Sequence, residues 1–189
     1  MSGSIEVVNL ETMEKEVDAS MGGAGFFTWP HGSAMDSSGT TLYVTAQEGN
    51  FIHKIDVTNI DNPGFDKIVL ATGESAIDFS SYKPHEIYFS PDYSHYFVTC
   101  QGTNEIRVFT PHNDSLVAII PVGKYPQEMS FSESRDYAFV SCTGDDITFP
   151  GTFGSVSVID YNNFISLKQI NTGYQPHGIA VDDYKQQVY

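Results

Sequence analysis

Three histidines of this chain follow prolines, at Pro30-His31, Pro84-His85 and Pro176-His177, and a fourth copy of the phrase reads Pro126-Gln127. Two copies continue with a carboxylate, Glu86 and Glu128. Imidazole suits zinc, copper, iron and nickel, and a carboxylate can add an oxygen ligand. If the fold brings these copies to one rim, His31, His85 and His177 could hold a transition metal. The same rim, with Glu86, Gln127 and Glu128, could bind a small ligand. A repeated Pro-His also has a plainer use, as a hydrogen-bonded corner made once per repeat. A second candidate is the acidic loop around Asp145 and Asp146, which continues into Phe149 and Phe153. Paired aspartates can bind calcium through oxygen, but the alternating Asp spacing of a calcium loop is missing. Length and mixed aromatic-acidic character make this a partner-facing loop, against the plainer reading of a solvated connection. No Gly-x-Ser-x-Gly elbow, phosphate-binding Gly-rich loop or His-Glu-x-x-His pair is present.

The elements that must position these residues are written in the repeat itself. The four prolines are separated by 54, 42 and 50 residues. An aromatic-Val-Thr phrase recurs with the same gaps at Leu42–Thr45, Tyr96–Thr99, Ala138–Ser141 and Val188-Tyr189. Self-similarity of this period signals a repeat architecture. Each unit resolves into four short strands, a to d. Strand a follows the proline, at Gly32–Met35, Glu86–Phe89, Glu128–Phe131 and Gly178–Val181. Strand b is the aromatic-Val-Thr phrase. Strand c covers Phe51–Asp56, Asn104–Phe109 and Ser155–Asp160, and strand d covers Asp66–Leu70, Ser115–Val122 and Phe164–Ile170. Alternation such as Ile106/Val108 and Val156/Val158 is the period of half-buried strands, and Asp, Ser and Gly in the a–b connections suit hairpin turns.

Four-stranded units of this length are blades of a β-propeller, which protects its sheet edges by radial repetition. The expected fold is therefore all-β, in one domain of about four blade equivalents over 1–189. Residues 1–25 would be strands c and d of a partial blade, 26–73, 74–123 and 124–173 whole blades, and 174–189 strands a and b of another. Three arrangements accommodate the half-blades: closure of a four-bladed ring, membership of a larger propeller of about six to eight blades, or sharing of blades between two copies. In each, strand a lines the central channel, which would put the Pro-His phrases on one rim. Aromatic lead-ins such as Tyr82-Lys83, Lys124-Tyr125 and Tyr174-Gln175 would flank it, either stacking on a ligand or packing between blades.

The bulk properties exclude some partners. The 189 residues carry 9 basic against 24 acidic side chains, a net charge of −15. Phosphate backbones require clustered Lys and Arg, so nucleic acid is not expected, nor is an anionic membrane surface. The acidity favours solubility and cationic or basic partners. No stretch approaches the ~20 apolar residues of a membrane span, and no signal peptide is visible after Met1. Cys100 and Cys142 occupy one structural position in neighbouring repeats. Packed sheets stand about 10 Å apart, while a disulfide needs Cα atoms within about 7 Å. They are therefore read as buried free thiols.

The phrases Leu42–Thr45, Gly154–Asp160 and Thr172–Ala180 resemble the YVTN-type β-propeller repeat, and the resemblance runs over nearly the whole chain. That family shades into YncE-like, surface-layer-like, lactonase-like and cytochrome d1-like propellers. It implies an extracytoplasmic protein, periplasmic or at the cell surface. It also implies a non-enzymatic scaffold of the bacterial cell envelope that binds a protein or small-molecule ligand without a resident cofactor. The alternative within the same resemblance is a lactonase-like hydrolase or a metal- or haem-binding redox propeller using the channel His and Glu residues. Two insertions depart from the common pattern, Asp61–Gly64 with Glu74–Ser81, and Asp145–Gly154.

Overall fold

The computed structural model describes residues 2–3, 5–15, 27–144, 151 and 153–189. The short pair β1 (Ser2–Gly3) and β2 (Phe27–Thr28) comes first. Three four-stranded antiparallel meanders follow. The first is β3 (Pro30–Met35), β4 (Thr41–Ala46), β5 (Phe51–Asp56) and β6 (Gly64–Val69). The second is β7 (Pro84–Phe89), β8 (Tyr96–Cys100), β9 (Glu105–Thr110) and β10 (Ser115–Pro121). The third is β11 (Pro126–Ser132), β12 (Tyr137–Cys142), β13 (Ser155–Asp160) and β14 (Ile165–Asn171). A hairpin of β15 (Val181–Asp182) and β16 (Gln187–Val188) ends the series. No helix occurs among the described residues. These are the all-β blades expected from the repeat.

The blades stack because their second strands are apolar on both faces. β8 is buried along its whole length. On one side Tyr43, Ile52 and Leu70 of the first blade meet Ile87, Tyr96, Val98 and Phe109 of the second. On the other, Phe97, Ile106, Val108 and Ile120 meet Met129, Ala138, Val140 and Ile159 of the third. Each large aliphatic or aromatic side chain so enclosed contributes about 1.5–3 kcal/mol. Polar ties cross the same seams: Lys54 Nζ donates to Asp114 at 2.6 Å, and Arg107, buried, donates to the carbonyl of Leu70 at 2.6 Å. Cys100 and Cys142 are buried, free, and paired in the ladder with Pro84 and Pro126.

The inner strands lie side by side, β3 on β7, β7 on β11 and β11 on β15. The outer strand β14 is exposed throughout. Each a–b hairpin turns through a left-handed residue within one position of the same place, Gly39, Tyr93, Asp136 and Gln186, with φ of 71°, 58°, 56° and 59°. Only the first copy uses glycine, so residue type alone does not mark the position.

The two ends are less regular than the whole blades. Of the strands c and d expected within residues 1–25, the described residues show one antiparallel bridge, Val8 to Lys15. Ile5 and Val7 of this segment pack beside Val44, Ile55 and Phe65. Strand a of the last unit shortens from Gly178–Val181 to Val181–Asp182, extended by mutual Ala180–Tyr189 hydrogen bonds of 3.0 and 2.9 Å, for want of a third strand beside the hairpin. Among the described residues no strand of the N-terminal region pairs with β15 or β16.

Candidate functional site

The inner strands β3, β7 and β11 begin with the same local distortion. In the first blade Pro30 pairs with Ala46 and Ser33 with Val44, so His31 and Gly32 together oppose Thr45. His85 and Glu86 oppose Thr99, and Gln127 and Glu128 oppose Ser141, in the same way. This is a β-bulge, a device that re-aims side chains at the end of a strand. The residue before each proline is left-handed, with φ of 48° at Trp29, 49° at Lys83, 53° at Tyr125 and 45° at Gln175. A non-glycine residue there costs about 1–2 kcal/mol, and a following proline ordinarily favours extended backbone. The next strand holds the corner in place. Gln47, Gln101 and Thr143 donate their backbone N–H to the carbonyls of Trp29, Lys83 and Tyr125 at 2.9, 3.0 and 3.2 Å.

The hydroxyl of the aromatic-Val-Thr phrase completes the bulge in all three blades and, at Thr45 and Ser141, ties it to the next blade. Thr45 Oγ1 accepts from Gly32 N–H at 2.8 Å and donates to the carbonyl of His85 at 2.7 Å. Ser141 Oγ accepts from Glu128 N–H at 3.2 Å and donates to the carbonyl of His177. Thr99 Oγ1 accepts from Glu86 N–H at 2.9 Å. Inner strands therefore approach closely. A Cβ on Gly32 would lie 2.6 Å from both Glu86 Cα and the His85 carbonyl oxygen, so the first bulge requires glycine.

These bulges deliver a contiguous chain of titratable side chains. His31 Nδ1 lies 3.0 Å from Glu86 Oε1, and its ring packs on that of His85 with centroids 3.9 Å apart. His85 Nδ1 stands 3.9 Å from the same carboxylate oxygen, beyond hydrogen-bond reach, and is a buried nitrogen with no partner. His177 is 6.1 Å from His85 between centroids and places Nδ1 3.7 Å from Glu128 Oε1. Tyr88 donates its hydroxyl to the other oxygen of Glu128. His31, His85, Glu86, Glu128 and His177 thus come together, and ligand atoms of His31, His85 and Glu86 all lie within 4.8 Å of one another.

The electrostatics follow from burial. His85 is only 3% exposed. Desolvation, with His31 and His177 adding to it, holds its ring neutral down to about pH 4. Glu86 is raised above the usual carboxylate range by burial and by Glu128, with His31 opposing. Burial and the bond to Glu128 push the Tyr88 phenol upward.

Other expected site residues go elsewhere. Gln127 is buried and its amide is engaged, accepting from Gln101 Nε2 at 3.0 Å and donating to the Tyr125 carbonyl at 3.0 Å. It serves the corner rather than the cluster. Phe153 is exposed and stacks on Tyr174 with centroids 4.9 Å apart, in contact with none of the axial residues. Asp145, Asp146 and Phe149 lie outside the described residues. Sequence reasoning missed Tyr88. The signal was available, since Tyr88 is two residues beyond Glu86 and shares its face of the strand. It also missed Asn50 and Asn104, 54 residues apart, whose side-chain oxygens accept from Ile77 N–H at 2.8 Å and Tyr125 N–H at 3.0 Å.

Among solved structures, the chain resembles hydrazine synthase of Kuenenia stuttgartiensis, with a TM-score of 0.71 at 19% identity over 94% of this chain and 46% of that one. A 6-phosphogluconolactonase-like protein from Bacteroides uniformis matches with a TM-score of 0.63 at 13% identity, over 84% of this chain and 46% of that one. Dihydro-heme d1 dehydrogenase NirN, in complex with DHE, matches with a TM-score of 0.62 at 16% identity, over 94% and 36%. The chain thus spans less than half the length of each. No protein-family model matches it, and no curated protein does. At such identities the likeness speaks for the fold alone, and with the meanders and stacked inner strands it makes this chain a β-propeller architecture.

Proposed function

We propose that this chain is a binding module of YVTN-type propeller character whose ligand is received at the inner-strand rim. The observation that supports this reading is convergence. Four successive repeats each place a titratable side chain, His31, Glu86, Glu128 and His177, in one linked series, beside the unpartnered nitrogen of His85. A purely structural corner would be finished by hydrogen bonds, as Gln127 is. His177 is well exposed and His31 partly so, which leaves the rim open to a ligand. The carboxylates and the net charge of −15 favour ligands carrying a cation or several hydrogen-bond donors. Such a ligand is a small molecule or a basic protein segment, and the family resemblance supports a module working outside the cytoplasm.

A thermal-shift screen of amine- and guanidine-bearing small molecules tests this. The expected result is a compound that raises the unfolding midpoint of the wild type but not of the Glu128→Gln/His177→Ala variant. Equal stabilisation of both proteins would remove the rim from the reading.

A second reading, a hydrolase, is favoured by one observation. Glu86 is raised by burial next to Glu128, the arrangement that separates two carboxylates into a proton donor and an acceptor. Lactone hydrolysis abolished by Glu86→Gln would support it, and absence of turnover in the wild type would reject it.

A further inference from the structure

We infer that His31, His85 and Glu86 form a site for one divalent transition-metal ion, which deepens the binding reading above and rests on it. Three features carry the inference. The first is the donor set, two imidazoles and one carboxylate from two adjacent inner strands, which suits zinc, nickel, copper or iron and not the all-oxygen shells of calcium and magnesium.

The second is the spacing. Metal–ligand bonds of about 2.0–2.2 Å place neighbouring ligand atoms about 3–3.5 Å apart in tetrahedral or octahedral geometry. His31 Nδ1 and Glu86 Oε1 are already at 3.0 Å, His85 Nδ1 and Glu86 Oε1 are at 3.9 Å, and ligand atoms of all three residues lie within 4.8 Å of one another, so side-chain adjustment without backbone rearrangement closes the set.

The third is the state of His85. Its Nδ1 is enclosed, aimed at the Glu86 carboxylate, and has no hydrogen-bond partner. Leaving such an atom unsatisfied is destabilising, and a metal ion would satisfy it. Without metal, His31 can donate Nδ1–H to Glu86. With metal, that proton moves to Nε2 and the Nδ1 lone pair turns to the ion. Three protein ligands leave at least one coordination position, which water would fill.

The test uses the full chain without an affinity tag, stripped with a chelator and titrated with Co²⁺. Binding is followed by calorimetry and by visible ligand-field absorption. One ion per chain is expected. Glu86→Gln and His31→Ala should each weaken binding by more than about tenfold, since even outer-sphere changes cost about 10–100-fold. His112→Ala, an exposed imidazole elsewhere, should leave binding unchanged. Glu86→Gln and His31→Ala alter side chains outside the apolar core, and circular dichroism checks that they fold. Absence of Co²⁺ uptake by the wild type, or equal affinity in all four proteins, overturns the inference. Should amine-bearing compounds bind the rim while Co²⁺ does not, the binding module stands and the metal site falls.

Discussion

His53 lies in β5, buried at 1% exposure, with its ring edge against Phe51 at 5.0 Å. Burial, with Lys67 adding to it and Asp78 opposing, lowers its pKa from 6.5 to about 4. The unfolded chain therefore takes up a proton as pH falls through about 6.5, while the folded ring resists until about 4. Within that window the unfolded state holds more protons, so stability declines as pH drops. The ring's share is about 3 kcal/mol, from a shift of that size at 1.36 kcal/mol per unit. His85 is lowered to about 4 as well and adds to the same window. Urea unfolding at pH 7 and pH 4.5 should show this loss, and His53→Gln should flatten part of it. An unchanged slope in the variant would refute the assignment. Lys83 offers a second check at this scale, because its φ is 49° and its side chain is largely solvated. Lys83→Gly should unfold within about 1 kcal/mol of the wild type, glycine's freedom at positive φ offsetting its entropy. Lys83→Val should be at least about 1 kcal/mol worse than the glycine variant.

The bulge and its hydroxyl form the element that makes one strand into part of a blade stack. Thr45 is fully buried and bridges Gly32 of the first blade to His85 of the second. Thr45→Val keeps the shape but strips partners from a backbone donor and acceptor, and should cost about 1–3 kcal/mol in chemical denaturation. Thr45→Ser should recover most of that loss, since serine already does this work at Ser141. A valine variant as stable as the wild type would mean the tie contributes nothing. The bond from the bulge N–H, made to Thr45, Thr99 and Ser141 alike, also explains why the aromatic-Val phrase ends in Thr or Ser in the three whole blades, which alternation alone does not require.

Across the whole molecule, stability should follow the number of neighbours each blade has. Repeat architectures gain most of their free energy at interfaces between units. The second blade, β7–β10, is enclosed by apolar clusters on both faces. The hairpin β15–β16 is only partly covered, and Tyr184 and Tyr189 stand exposed beside it. Hydrogen exchange followed by mass spectrometry should find the slowest amides in β8 and β9 and the fastest described strand amides in β15 and β16. Uniform protection across all four units would contradict nearest-neighbour stabilisation. Asp183, which accepts from Ser132 Oγ, from Glu133 N–H at 3.0 Å and from Ser134 Oγ at 2.8 Å, is the polar tie that keeps this hairpin on the third blade.

The blades themselves were legible in the sequence by itself. A period of two in apolar residues, turn-forming residues between strands, and phrases recurring with equal gaps are local or one-dimensional properties. They carried over into β3–β14 with shifts of one or two residues at strand ends. They also placed Cys100 and Cys142 at one buried position. The site was legible only as a set of recurring residues. Tertiary structure decided which members of the set meet, because that depends on a two-against-one bulge at each inner strand and on the lateral offset between blades. Those two features bring the rings of His31 and His85 to 3.9 Å, tie Tyr88 to Glu128 and commit Gln127 to the corner. No single-strand pattern encodes such an offset. It emerges from a glycine that permits close approach at residue 32 and from hydroxyls that fix how far one blade stands from the next.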